Sequence, residues 1–201
     1  MQFYKNLRDN NHCFQASFKM VLSKYYPKKN FSYEEVDRIV GFDKNPYVWD
    51  SRGLMWLAKK GFEILRISEF DYKTFSEKGT DYLKGYWSKE AYDYQTSISD
   101  IKSEQKKAKK SLVHIKNINR DATIKDVEKL FKQKYTLIVA INPNILDKKK
   151  GYGNHSVVIV DILKNHIIFH DPGLPPEPNR KVTKNLFKKA LNEITAIKKI
   201  G

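Results

Sequence analysis

The chain has little sulfur. Its 201 residues hold one cysteine, Cys13, so no internal disulfide can form. No apolar run approaches the ~18 residues of a membrane-spanning helix. The first residues, Met1-Gln2-Phe3-Tyr4-Lys5, lack the apolar stretch of a secretion signal. These absences lead to the expectation of a cytoplasmic protein without a membrane span. Arginine is scarce as well. Of 38 basic residues only Arg8, Arg38, Arg52, Arg66, Arg120 and Arg180 are arginine. Readout of base edges favours arginine forks, and the chain carries no nucleic-acid-binding motif. Against those 38 stand 23 acidic residues, for a net charge of +15. That charge suits an acidic partner or substrate, or a lysine-coated solvated surface. Nucleic acid is a conceivable partner that the sequence does not favour.

The rest of the composition is that of a folded chain. Hydrophobic residues make up 40%, and twelve Tyr, eleven Phe and three Trp argue against disorder. The length fits a single domain over residues 1–201.

Local patterns give the order of elements. Phe14, Phe18, Val21, Leu22 and Tyr25 share one helical face, with Asn10 or Asn11 available as cap and Pro27 as stop. Cys13 then lies in the first turn, where free N–H groups and the helix dipole favour a thiolate. A small buried apolar role is the alternative for this residue. Ser32-Tyr33-Glu34-Glu35 is a capping box that opens a helix ending at Gly41. Asp50 or Ser51 caps a third helix, with Leu54, Leu57 and Ala58 inward. Phe62 to Ile67 alternates like a strand. Residues 69–110 read as a helical, Lys-rich segment. Leu112 to Ile115 reads as a short strand, Thr123 opens a helix, and Tyr135 to Ile141 is a buried strand. Lys184 to Leu191 is helical and Ile194 to Ile197 is a last strand. Helices first and strands later predict an α+β fold. Trp49 and Trp56 are expected to be packing residues. Substrate choice is expected in the loops 42–53, 142–154 and 172–180.

Residues 151–173 carry the chemistry. Gly151-Tyr152-Gly153-Asn154-His155 opens a strongly β-forming run. A second run, Ile167-Ile168-Phe169, leads into His170-Asp171-Pro172-Gly173. If the two runs pair as a hairpin, His155 and Asp171 become neighbours. A histidine oriented by a carboxylate needs only a nucleophile to become a catalytic site. Cys13 can supply it, and the Cys-to-His interval falls within the ~130–150 residues of papain-like enzymes. A metal site built from His155, His166, His170 and Asp171 is a poorer reading. Adjacent residues of a strand point to opposite faces, so His170 and Asp171 cannot aim together. His12 and His114 have no partner that the sequence identifies.

Three segments carry a resemblance: Cys13 to Leu22, Gly153 to Val160, and His170-Asp171-Pro172-Gly173. With looser similarity over Leu54 to Phe62, the chain resembles the C39-like cysteine peptidases of the papain-like superfamily. The resemblance implies a papain-like fold, with N-terminal helices followed by an antiparallel β-sheet and 69–110 as an insertion. It implies Cys13 as nucleophile, His155 as general base and Asp171 as the residue that orients it. The substrate would be a peptide or protein, and neither cofactor nor metal is called for. Two positions depart from the family pattern. Phe14 follows the cysteine where glycine is usual. Leu7 stands where the family has the glutamine that binds the oxyanion. Asn6, Asn10 and Asn11 are the candidates to replace that amide. A missing donor would cost ~10²–10³ in turnover. The alternative function is an inactive papain-like fold that binds an acidic partner.

Overall fold

The computed structural model describes residues 1–7, 10–42 and 49–200. Arg8 and residues 43–48 of the 42–53 loop lie outside the described residues. In chain order the elements are α1 (Cys13–Tyr25), α2 (Tyr33–Val40), α3 (Ser51–Ala58) and β1 (Phe62–Ser68). Four helices follow: α4 (Tyr72–Lys78), α5 (Thr80–Tyr86), α6 (Lys89–Ile98) and α7 (Ile101–Ser111). Next come β2 (Lys116–Asn119), α8 (Ile124–Lys132), β3 (Thr136–Ile141) and α9 (Pro143–Leu146). The chain continues through β4 (His155–Ile162), β5 (His166–Asp171), β6 (Glu177–Thr183), α10 (Lys184–Ala190) and β7 (Leu191–Lys199). Among the described residues no helix is long and apolar enough to cross a membrane.

The strands form one seven-stranded sheet in the order β2-β1-β7-β3-β4-β5-β6. Side chains of successive strand residues alternate between two cores. Leu137, Val139 and Ile141 of β3 pack with Val127 and Leu130 of α8 and Phe187 and Ala190 of α10. Ile138, between them, packs with Phe18, Val21 and Leu22 of α1 and with α2 and α3. Helices therefore cover both faces, which makes the protein a mixed α/β structure. Each fully buried large apolar side chain contributes roughly 1.5–3 kcal/mol.

Three expectations need correction. The sheet is not wholly antiparallel, because β1 and β2 run parallel. Parallel neighbours need a long crossover, and the helical run α4 to α7 supplies it. Helices do not simply precede strands, since α8 and α10 fall between later strands and cover the second face. Leu112 to Ile115 is a turn that closes α7, and the strand lies at Lys116–Asn119. Ile115 is buried there while Val113 is 81% exposed, so the apolar run packs a turn.

The local chemistry explains the element ends. Ser32 and Glu35 form the capping box of α2, and Gly41 closes that helix in the left-handed region. Thr123 and Asp126 cap α8 in the same reciprocal way. The helices α4 to α7 share a small core of Tyr72, Phe75, Leu83, Ile101 and Ala108. Trp49 stacks on Phe75 with ring centroids 5.3 Å apart. Trp56 packs against Phe31 and Tyr26. One charged group crosses the core. Arg66 of β1 is wholly buried and pairs with Asp50 at 2.6 Å. Its guanidinium also lies 3.7 Å from the centre of the Tyr72 ring and faces Glu193 at 3.8 Å.

Candidate active site

Cys13 is the first residue of α1. The cap is His12 rather than Asn10 or Asn11, and it makes no side-chain cap bond. Instead Asn6 reaches in from the preceding segment, and its Oδ1 accepts from the His12 N–H at 2.8 Å. Asn6 is only 2% exposed, and its Nδ2 donates to Asn10 Oδ1 at 3.2 Å. Its backbone N–H donates to the Pro172 carbonyl at 2.7 Å. Asn6 thus ties the start of α1 to the loop that follows Asp171. Asn10 and Asn11 are exposed.

Helix α1 is docked on β4. Ser17, one turn beyond Cys13, donates its hydroxyl to the Ser156 carbonyl at 3.0 Å. This contact sets the first turn of α1 beside the start of β4, where His155 stands. The His155 ring acts on the Cys13 thiol and lowers its pKa. The ring also bonds Asp171, with Nε2 2.7 Å from Oδ1.

The hairpin register accounts for the His155–Asp171 contact. Val158 pairs with His170. One further step sets Asp171 opposite Val157. His155 lies two residues along on the same face, a diagonal neighbour within reach of a long side chain. His170 points the other way, as the strand alternation requires. Its ring meets Phe3 edge-on at 5.2 Å, and its Nδ1 accepts from the Asn179 N–H at 3.2 Å. His12, whose partner was not legible in the sequence, lies 3.5 Å from Asp37 and packs against Phe42 and Tyr33. Among the described residues no group of three or more His, Cys, Asp or Glu side chains could hold a metal ion.

The charges of the site reinforce one another. Burial pushes the Cys13 thiol up, but the hydrogen bond and charge of His155 outweigh it, helped by the Ser156 and Phe14 N–H groups. The thiol ends below its ordinary value. Burial pulls His155 down, but Asp171 and Cys13 raise it to about 9. Burial pushes Asp171 up, yet bonds from His155, Gly173 and Arg180 hold it below the usual carboxylate range. Near neutral pH this favours a thiolate beside an imidazolium.

Four residues to which sequence reasoning assigned no part of their own shape the site. Asn142 pins the glycine loop ahead of His155, its Oδ1 accepting from the Gly153 N–H at 3.1 Å. Gly151 adopts a φ of 95°, which a side chain disfavours. Gly173 crosses so close to the pair that a Cβ there would lie 2.9 Å from Asp171 Oδ1. Arg180 donates to Asp171 Oδ2 at 2.9 Å. The Asn-Pro turn after β3 and the Pro-Gly step after Asp171 were visible as loops. Their side-chain partners lie far off in sequence.

No family model and no curated protein sequence matches the chain. Among solved structures the peptidase domain of Streptococcus ComA, described as a bi-functional ABC transporter involved in a quorum sensing pathway, aligns with a TM-score of 0.55. The match covers 99% of this chain and 98% of that one, at 13% sequence identity. The chain shares the fold of that peptidase domain. At such identity the likeness speaks for the fold alone.

Proposed function

We propose that the protein is a cysteine peptidase of the C39-like, papain-like kind, hydrolysing an amide bond through Cys13, His155 and Asp171. The observation that carries this reading is the 2.7 Å bond between His155 and Asp171 beside a thiol that opens a helix and that His155 holds below its ordinary pKa. The shared fold with a peptidase domain supports it. In this reading the whole chain is one domain, and α4 to α7 are an insertion whose lysines add to the +15 charge. The substrate is a peptide or protein segment, and the charge favours an acidic one.

The steps follow from the geometry. The Cys13 thiolate attacks the scissile carbonyl carbon, and the carbonyl electrons move onto oxygen. The Cys13 backbone N–H and the Asn6 amide donate to that oxyanion, with Asn6 Nδ2 released from Asn10. His155 passes its proton to the leaving amine as the C–N bond breaks, giving a thioester. His155 then takes a proton from water, the hydroxide attacks the thioester, and the proton returns to the pair as thiolate leaves. Asp171 keeps the ring aimed and its charge balanced throughout.

The test is cleavage of a mixed peptide library, read by mass spectrometry. Wild-type protein should produce cuts that Cys13→Ser and His155→Ala abolish. A peptidyl acyloxymethyl ketone should label Cys13 in wild type and fail in His155→Ala. No cleavage, together with equal labelling of wild type and His155→Ala, would leave a binding module in place of an enzyme.

A further inference from the structure

We propose that Arg180 is a positioning residue for the Cys13–His155 pair, acting through Asp171; this rests on the peptidase reading above. A carboxylate turns easily about its last torsion, and one hydrogen bond to a ring does not stop it. Asp171 is held at both oxygens. Oδ1 accepts from His155 and from the Gly173 N–H at 2.9 Å, and Oδ2 accepts from Arg180 Nη1 at 2.9 Å. Asp171 is 4% exposed, so water cannot readily replace a lost donor.

Arg180 is itself fixed from outside. Its Nη2 donates to Asp147 Oδ1 at 2.6 Å, and its Nε lies 3.3 Å from Glu177 Oε2. Asp147 belongs to the loop between α9 and His155, and Glu177 to the start of β6. One guanidinium therefore joins the carboxylate, the approach to the histidine and the edge strand. The pairing of β5 with β6 brings it there. Phe169 pairs with Arg180, which puts Arg180 on the Asp171 face as a diagonal neighbour. A regular ladder would then set Asp171 opposite Pro178, which has no N–H to give. The register shifts between Phe169 and Asp171, so Asp171 meets Glu177 instead. A planar fork addresses three carboxylates from fixed directions, where a lysine offers one compact point charge. Without it Asp171 would face Asp147 and Glu177 with no cation between them.

The test measures Cys13 alkylation by iodoacetamide at pH 6.5 in five proteins: wild type, Arg180→Met, Arg180→Lys, Asp171→Asn and the Arg180→Met/Asp171→Asn double variant. Arg180→Met should react about tenfold more slowly, as expected for loss of one charge-assisted bond. Arg180→Lys should recover part of the rate. The double variant should be no slower than Asp171→Asn, because Arg180 has nothing left to act through. A general structural role would instead multiply the two losses, and that result overturns the proposal. Asp147→Asn loosens Arg180 without touching Asp171, and it should slow alkylation less, in the same direction. It also serves if Arg180→Met does not fold, and a wild-type rate for it in that case overturns the proposal. Fast alkylation of wild type and Arg180→Met alike overturns this inference alone. A wild-type rate no higher than that of a free thiol overturns the peptidase reading, and this one with it.

Discussion

Gly173→Ala asks whether the His155–Asp171 contact depends on the space beside it. The new Cβ would lie 2.9 Å from Asp171 Oδ1, 3.4 Å from His155 Nε2 and 3.6 Å from His155 Cε1. Gly173 is not among the glycines with positive φ, so alanine meets no backbone penalty there. A carbon–oxygen contact this short must open by roughly half an ångström. The loop cannot simply lift, because the Pro172 carbonyl is bonded to Asn6. Asp171 cannot freely retreat, because Arg180 holds its other oxygen. The bond between them, now 2.7 Å, takes the strain and stretches to the edge of hydrogen-bond range. A bond to a charged group is worth ~1.5–3 kcal/mol. Losing most of it slows Cys13 alkylation by roughly 10- to 100-fold at 1.36 kcal/mol per tenfold. The His155 titration, raised to about 9 in the native protein, should move down toward the ordinary histidine value, as ring resonances in NMR would show. Gly85→Ala is the control: a Cβ there meets nothing within 4 Å, and in helix α5 it should stabilise by about 0.5–1 kcal/mol. An alkylation rate and a His155 titration unchanged in Gly173→Ala would refute the reasoning.

Other perturbations test the frame. Arg66→Met removes a wholly buried cation from between Asp50 and Glu193. Breaking such a pair costs ~3–5 kcal/mol, so Tm should fall by roughly 10 °C, and a fall under ~2 °C would contradict the account. Asp126 is held at about 2 by its bonds with Arg120, well below an unfolded aspartate. Its contribution is therefore present above pH ~4 and lost as pH falls toward 2. Asp126→Asn should flatten the acid side of a stability-against-pH curve, and parallel curves for the two proteins would reject it. Phe187→Ala empties the core under α10 where Phe187 meets Phe169 at 5.4 Å. It should cost ~3–5 kcal/mol in a denaturant titration, against which a loss under ~1 kcal/mol would count.

What the sequence disclosed follows from how far each interaction reaches. Helices α1, α2, α8 and α10 were legible because their caps and apolar faces are local. That Cys13 opens a helix and that His155 and Asp171 meet was legible because each stands at the end of an element, and the hairpin joining the last two is short. Strand β2, Lys-Asn-Ile-Asn, was not, because an edge strand against one partner needs no apolar alternation. The preceding Leu-Val-His-Ile drew the eye because turns also bury apolar residues. Arg180 could not be found, because its place beside Asp171 depends on the pairing register of β5 and β6, which residue types alone do not reveal. Asn6 was named among three amides. Its burial and its bonds to His12 and Pro172 distinguish it from Asn10 and Asn11.

The sheet order bears on how the protein comes into being. β7, the last of the described strands, lies between β1 and β3, inside the sheet. Until it arrives, β2-β1 and β3-β4-β5-β6 are two separate ribbons with open edges. During synthesis the thiol emerges well before the strand that joins the halves. Between the two, the reactive group is made but unassembled. Such non-local closure is slow. A nascent chain that has passed β3 but not reached residue 191 should expose to chaperones the two strand edges that β7 later pairs.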